Sequence, residues 1–355
     1  MTDIPVPARP VRVVIVDDTR TIRGMIRVHL SRSPMIEVVG EAGDPYEARE
    51  LIRSLNPDVI TLDVVMPRMD GLSFLERLMR LRPMPVVMVS SRTTQNSREA
   101  ITALSLGAVD CFDLAKLNAG ADTFDLAETV LMAAQSNVGQ FSSPRSHTAA
   151  AGANALDWNG KMVLIGSSTG GVDALLTVLS AYPADGPPTV IAQHMPASFL
   201  ESFSKRLDRS CAVAVKLAED GEQIERGHVY LGPGGDRHVT IAPRDPSCLR
   251  LVPHDGTETY VPSVNLLFSS AVPHAERVVG VMLTGMGRDG ASALLDLRRA
   301  GAHSIVQDAA TSVIDGMPRS ARELGAATEV AALDHIAGRI LDSVSRSARQ
   351  QGRVA

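Results

Sequence analysis

Apolar runs of four to seven residues alternate with amphipathic stretches from Val11 almost to the end of the chain. In the first part the strand-like runs are Val11–Asp17, Ile36–Glu41, Asp58–Asp63, Pro85–Ser90 and Ala108–Phe112. Between and after them, Thr21–Ser31, Tyr46–Ser54, Leu72–Leu81, Arg98–Leu106 and Phe124–Ala134 carry helical spacing. Runs too apolar for one-sided burial, alternating with helices, predict a parallel sheet covered on both faces. Residues 11–135 thus form one α/β domain of ordinary size.

Residues 136–159 change character. They are rich in Ser, Ala, Gly and Asn, have no sustained apolar period, and predict a flexible linker. A second alternation fills 160–345. Its predicted strands are Met162–Ile165, Thr189–Gln193, Ala212–Leu217, Val229–Gly232, Val239–Ala242, Leu249–Val252, Val278–Leu283 and Ser304–Gln307. Its predicted helices are Val172–Ala181, Ser198–Leu207, Val264–Ala275, Ala291–Arg299, Pro318–Leu324 and Leu333–Val344. Short strands and turn residues between His228 and Val252 predict a β-hairpin insertion. The fold class is therefore α/β, with two doubly wound parallel-sheet domains joined by a linker.

Composition narrows the functional classes. A formal net charge of −5 argues against a chain built to hold nucleic acid. Three scattered cysteines suit neither a disulfide framework nor a zinc site, and fit a reducing compartment. There is no signal-peptide pattern, and no apolar run approaches the ~18 residues of a membrane span. A cytoplasmic protein without membrane insertion is expected. Aromatics are only 3% of the chain, so the cores are aliphatic.

Chemistry gathers at the ends of predicted strands. Asp17-Asp18 closes the first strand and Asp63 the third, which are neighbours in a doubly wound sheet. Three carboxylates there repel one another unless a hard cation such as Mg²⁺ lies among them. A carboxylate beside Mg²⁺ can attack a phosphoryl group. Ser90, ending the fourth strand, is placed to hydrogen-bond a phosphoryl oxygen. Val13-Val14-Ile15-Val16-Asp17-Asp18, Leu62-Asp63-Val64-Val65-Met66-Pro67 and Asp70-Gly71 resemble a response-regulator receiver domain. That resemblance implies a flavodoxin-like fold, phosphorylation of Asp63 by a histidine kinase, Mg²⁺ held by Asp17 and Asp18 with Asp63, and a switch role for Ser90. One departure stands out. The Lys-Pro usual after the fifth strand is replaced by Leu114-Ala115, with Lys116 two residues late. The expectation is that Lys116 reaches back to the phosphoryl group.

In the second part, Gly166-Ser167-Ser168-Thr169-Gly170-Gly171 follows one apolar run, Gln193-His194-Met195-Pro196 a second, and Thr284-Gly285-Met286-Gly287-Arg288-Asp289-Gly290 a third. A hydroxyl needs a base, and the base an orienting acid, to become a useful nucleophile. A glycine turn also lets backbone N–H groups converge on an oxyanion. Spacing does not separate Ser167, Ser168 and Thr169 as nucleophile. Phosphate-loop and dinucleotide fingerprints are missing. His194 alone reads as a packed histidine, and Asp289 alone as a cap for the helix starting near Gly290. His228 and His238 read as structural.

Together these segments resemble the methylesterase domain of CheB-type chemotaxis protein-glutamate methylesterases. A receiver ahead of that domain matches the family layout. The resemblance implies Ser168 as nucleophile, His194 as base and Asp289 as the orienting carboxylate. Met286 and Thr169 are candidates for oxyanion or substrate contacts. It also implies methyl-accepting chemoreceptors as substrates, a chemotaxis-type kinase as partner, glutamine deamidation as a side activity, and no cofactor for the ester chemistry. A monomer is expected, with the unphosphorylated receiver blocking the catalytic cleft.

Overall fold

The computed structural model describes residues 9–66, 70–90, 94–114, 126–136 and 156–346. The chain divides into two compact units, one within residues 1–144 and one within 145–355. The described residues give each unit its own parallel sheet.

The first unit runs β1 (Val11–Val16), α1 (Arg20–Leu30), β2 (Ile36–Ala42), α2 (Pro45–Leu55), β3 (Val59–Asp63), α3 (Gly71–Leu81), β4 (Val86–Ser90), α4 (Thr94–Ser105), β5 (Asp110–Asp113) and α5 (Leu126–Ala133). The strand order is β2-β1-β3-β4-β5, with every pairing parallel. The chain reverses direction across the sheet between β1 and β3. Open α/β sheets bind ligands at such a point, outside the strands' carboxyl ends. Asp17 and Asp63 both lie there.

The second unit begins with β6 (Met162–Ser167), α6 (Gly171–Ser180), β7 (Thr189–Gln193), α7 (Ala197–Ser210), β8 (Ala214–Leu217) and β9 (His228–Leu231). A hairpin follows, β10 (Arg237–Ile241) with β11 (Leu249–Pro253). It leads to α8 (Val264–Ser270), β12 (Val278–Met282), α9 (Ala291–Arg299), β13 (His303–Gln307), α10 (Met317–Glu323), β14 (Glu329–Ala331) and α11 (Leu333–Val344). Seven strands make one parallel sheet, ordered β14-β13-β12-β6-β7-β9-β8. From β6 the chain moves outward through β7, then returns to β6's other side with β12. The switch point thus falls where β12, β6 and β7 lie side by side. All three strands are buried along their whole length, so they read as continuous apolar runs.

Three details differ from the sequence expectation. β9 does not belong to the hairpin; it pairs in parallel with β7 and β8, and only β10 and β11 form the antiparallel ribbon. The expected helix Val264–Ala275 stops at Ser270, and a 3₁₀ turn covers Val272–Arg277. Pro273, near the start of that turn, cannot supply the N–H that a continuing α-helix needs. β14 is an edge strand of three residues, too short to show a period.

Residues 156–159 are tied to the other end of the unit. Trp158 bridges Ser345, Asn159 N–H donates to the Val344 carbonyl at 2.8 Å, and Arg346 N–H donates to that of Asp157 at 2.9 Å. Among the described residues no helix is long and apolar enough to cross a membrane.

Candidate active site

The carboxyl end of the first unit's sheet holds the expected carboxylates. One oxygen from each of Asp17, Asp18 and Asp63 lies within 4.8 Å of the others. Asp17 is 1% exposed, and its Oδ1 accepts the Thr19 N–H at 2.8 Å while its Oδ2 is buried with no partner among the described residues. Burial and the neighbouring Asp17 push the Asp63 carboxyl up to about 7. Burial, and less strongly Asp18, push Asp17 up to about 6. An orphaned buried oxygen and mutually repelling carboxylates fit an oxygen-seeking dication. Asp70-Gly71 also has a local reason. Asp70 Oδ1 caps α3 by accepting the Ser73 N–H at 2.7 Å. A Cβ on Gly71 would lie 2.1 Å from the Asp63 carbonyl oxygen, so only glycine lets α3 start against the backbone at the end of β3. The Ser90 side chain and Lys116 lie outside the described residues.

These charges predict an unusual pH response. A carboxyl raised from 3.8 to about 7 contributes stability that is complete below 3.8 and lost as pH rises through 7. Asp63→Asn removes that loss. Without divalent cations, the variant's receiver should melt above wild type at pH 8, with a smaller gap at pH 5. Added Mg²⁺ should raise the wild-type midpoint at pH 8. Equal gaps at both pH values in thermal melts would contradict this.

In the second unit, Ser168, His194 and Asp289 come from the three central strands. β6 pairs with β7 so that Ser167 lies opposite Gln193. Ser168 and His194 are each the next residue along, on strands spaced about 4.8 Å apart. The turn is held firmly. Ser168 N–H donates to the Thr284 carbonyl at 3.0 Å, and His194 N–H to that of Ser167 at 3.0 Å. The Gln193 side chain accepts the Ser167 hydroxyl at 2.6 Å and donates to the Ser168 carbonyl at 2.9 Å. Thus the Ser167 hydroxyl is committed to Gln193, whereas no described group bonds the Ser168 hydroxyl. Ser168 is 3% exposed.

His194 Nε2 is 2.8 Å from Asp289 Oδ2. Its Nδ1 is buried with no partner among the described residues. The Tyr260 ring stacks on the imidazole, with centroids 4.4 Å apart and planes 12° from parallel. No hydrogen bond joins Ser168 to His194 here; such contacts often tighten only with substrate bound.

Asp289 lies seven residues past β12 and sits against a different helix from the one expected. It does not cap α9, whose N-cap is Gly290. Its Oδ2 accepts the Val264 N–H at 2.8 Å and its Oδ1 the Asn265 N–H at 3.1 Å, at the start of α8. Burial works to raise this carboxyl. The His194 bond and charge, together with the two backbone N–H groups, outweigh it and hold the group below the usual carboxylate range. Asp289 therefore stays ionised. The close approach depends on glycines: a Cβ on Gly166 or Gly290 would lie 2.2 Å or 2.3 Å from Val264 Cγ1.

The Thr284–Gly287 loop passes the serine. Thr284 Oγ1 reaches the Thr169 carbonyl at 3.0 Å, while its N–H donates to Gln307 Oε1 at 2.8 Å. Met286 is buried, and its N–H has no acceptor among the described residues. On Gly285, a Cβ would lie 2.5 Å from Met317 Sδ and 2.7 Å from Ser168 Cβ. Gly285→Ala should therefore displace the serine turn. The expected loss in kcat is about 100-fold, with destabilisation of about 1–3 kcal/mol, checked by turnover and denaturant titration.

The loop contacts of Gln193, Thr284, Ser263 and Tyr260 were not assigned from the sequence. Gln193 beside His194 carried a signal, being a polar residue at the end of a buried strand. Tyr260 and Ser263 lie in a segment without period or motif.

A parallel sheet with three carboxylates gathered at its switch point, and another presenting hydroxyl, imidazole and carboxylate at its centre, have the features of a receiver domain and of a hydrolase. Comparisons with known proteins agree. Residues 13–116 match the response regulator receiver domain and 163–340 the CheB methylesterase domain. The chain is 48% identical to a protein-glutamate methylesterase/protein-glutamine glutaminase of Agrobacterium fabrum, over 96% of this chain and 98% of that protein. It is 48% identical to one of Caulobacter vibrioides, over 94% of this chain and 98% of that protein. The crystal structure of the Thermotoga maritima CheB methylesterase catalytic domain is 34% identical, covering 52% of this chain and 98% of that one, with a TM-score of 0.49. The chain belongs to the CheB methylesterase family.

Proposed function

We propose that this chain hydrolyses glutamate γ-methyl esters on methyl-accepting chemoreceptors, with Ser168, His194 and Asp289 as its catalytic triad. The observation that carries the residue assignment is the 2.8 Å bond from His194 to the ionised Asp289 beside a serine hydroxyl bonded to no described group. Asp289 accepts the Nε2–H, which leaves Nδ1 as the basic nitrogen.

Ser168 Oγ attacks the ester carbonyl and its proton moves to His194 Nδ1. The tetrahedral oxyanion is stabilised by backbone N–H donors, with Met286 N–H our first candidate and Thr169 a second. His194 then returns the proton to the departing methoxide, releasing methanol and leaving the γ-carboxyl esterified to Ser168. Water, deprotonated by His194, cleaves that ester and regenerates the hydroxyl. With a glutamine substrate the same steps release ammonia. The test is methanol release from methylated receptors; a chain that releases none would overturn the reading.

The receiver brings regulation by phosphorylation. Asp63 is the acceptor in this reading, supplied by a chemotaxis-type histidine kinase, and Asp17, Asp18 and Asp63 would hold Mg²⁺. When bound, that ion would neutralise charge on the transferring phosphoryl oxygens. A tenfold activation requires a coupling of only about 1.4 kcal/mol. A cytoplasmic monomer is the state that suits a kinase and receptor tails as partners.

A further inference from the structure

His238 is the one histidine on the hairpin strand β10, is 1% exposed, and has no part in the chemistry above. Its Nδ1 accepts the Ser263 N–H at 2.9 Å. That bond fixes the tautomer: the ring proton is on Nε2, which is 3.1 Å from His254 Nδ1 and donates to it. Ser263 is the N-cap of α8, its hydroxyl accepting the Leu266 N–H at 3.1 Å and donating to Glu258 Oε2 at 2.9 Å. The next residue, Val264, donates its N–H to Asp289 Oδ2, the same oxygen that accepts His194 Nε2–H.

We propose that His238 is a positioning residue for the triad, holding the Ser263–Val264 backbone at the place where it sets the carboxylate oxygen that orients His194. The inference rests on the triad reading above and extends it to a second histidine. The imidazole acts in its neutral form, because a proton on Nδ1 would face the Ser263 N–H. Burial and the adjacent His254 work against protonation, while Glu258, Asp289 and Asp255 favour it; the net result is a ring held below the usual histidine range. His238 thus remains neutral where the enzyme must work, and its acceptor nitrogen stays available.

A replacement that keeps an acceptor at the Nδ1 position should preserve the function. Asparagine places its Oδ1 near there, whereas glutamine reaches towards the Nε2 position instead. The test uses the full chain and methanol release, with thermal melts to confirm folding. Loss of the Ser263 anchor in His238→Ala should lower kcat about 30-fold with KM within about twofold, as expected for a small misplacement of reacting groups. His238→Asn should recover kcat to within about fivefold of wild type, and His238→Gln should not. In an Asp289→Asn background, His238→Ala should add less than about twofold, because the two changes act through one carboxylate.

Wild-type kcat in His238→Ala would overturn the proposal, as would an equal loss in both backgrounds. If His238→Ala does not fold, equal rates for His238→Asn and His238→Gln would overturn it. A fully active Asp289→Asn parent would instead bring down the triad reading, and this proposal with it.

Discussion

Ser168→Ala should lower kcat for methanol release by roughly 10⁴–10⁶-fold, the range seen when a triad nucleophile is removed. Ser167→Ala should behave differently. Its hydroxyl donates to Gln193 Oε1 inside the sheet and faces no base. Losing it leaves a buried acceptor partly unsatisfied, at a cost of about 1–3 kcal/mol, so the variant should be less stable while keeping most turnover. Folding of Ser168→Ala should be unaffected, since no described group bonds that hydroxyl. Kinetics and denaturation of both variants check this. Retained turnover in Ser168→Ala with loss in Ser167→Ala would reverse the assignment.

Asp289→Asn should cost about 10⁴-fold in kcat, as an amide in place of the orienting carboxylate selects the wrong imidazole tautomer. A second effect follows from the same carboxyl being held below its usual range. A carboxyl with a depressed folded-state pKa contributes stability above its unfolded value, 3.8, and that stability is lost as pH falls through the folded value. Asp289→Asn should therefore flatten the acid limb of the stability curve of the second unit below about pH 4. Turnover near wild type, or an unchanged acid limb, would show that Asp289 does not carry this charge for His194.

Much of this was legible in the sequence because it is local. The apolar runs Val163–Ile165, Val190–Ala192 and Val278–Met282 lie in buried strands, and the glycines after the first and third mark backbone that passes close to other groups. Motifs placed Asp17, Asp18 and Asp63 at strand ends, and β1 and β3 are indeed neighbours. What could not be read depends on distant partners. Ser167 and Ser168 are chemically alike in the chain; only the Gln193 side chain, 26 residues from Ser167, separates them. Asp289 precedes a helix and looks like its cap, yet its carboxylate serves the start of α8, 25 residues earlier. His228 begins β9, and the turn-rich sequence after it suggested a hairpin. Its true neighbours, β7 and β8, are parallel and reached through long connections, which no local pattern reveals. Pro273, by contrast, was a readable signal against a helix through Ala275.

The central claim is that His194, held by Asp289, makes one particular hydroxyl nucleophilic. Covalent labelling with a phosphonofluoridate, followed by peptide mass mapping, tests it most directly. The account predicts a single adduct on Ser168 in the wild type, formed far more slowly in His194→Ala and Asp289→Asn. An adduct on Ser167 or Thr169, or a Ser168 labelling rate unchanged in His194→Ala, would contradict it.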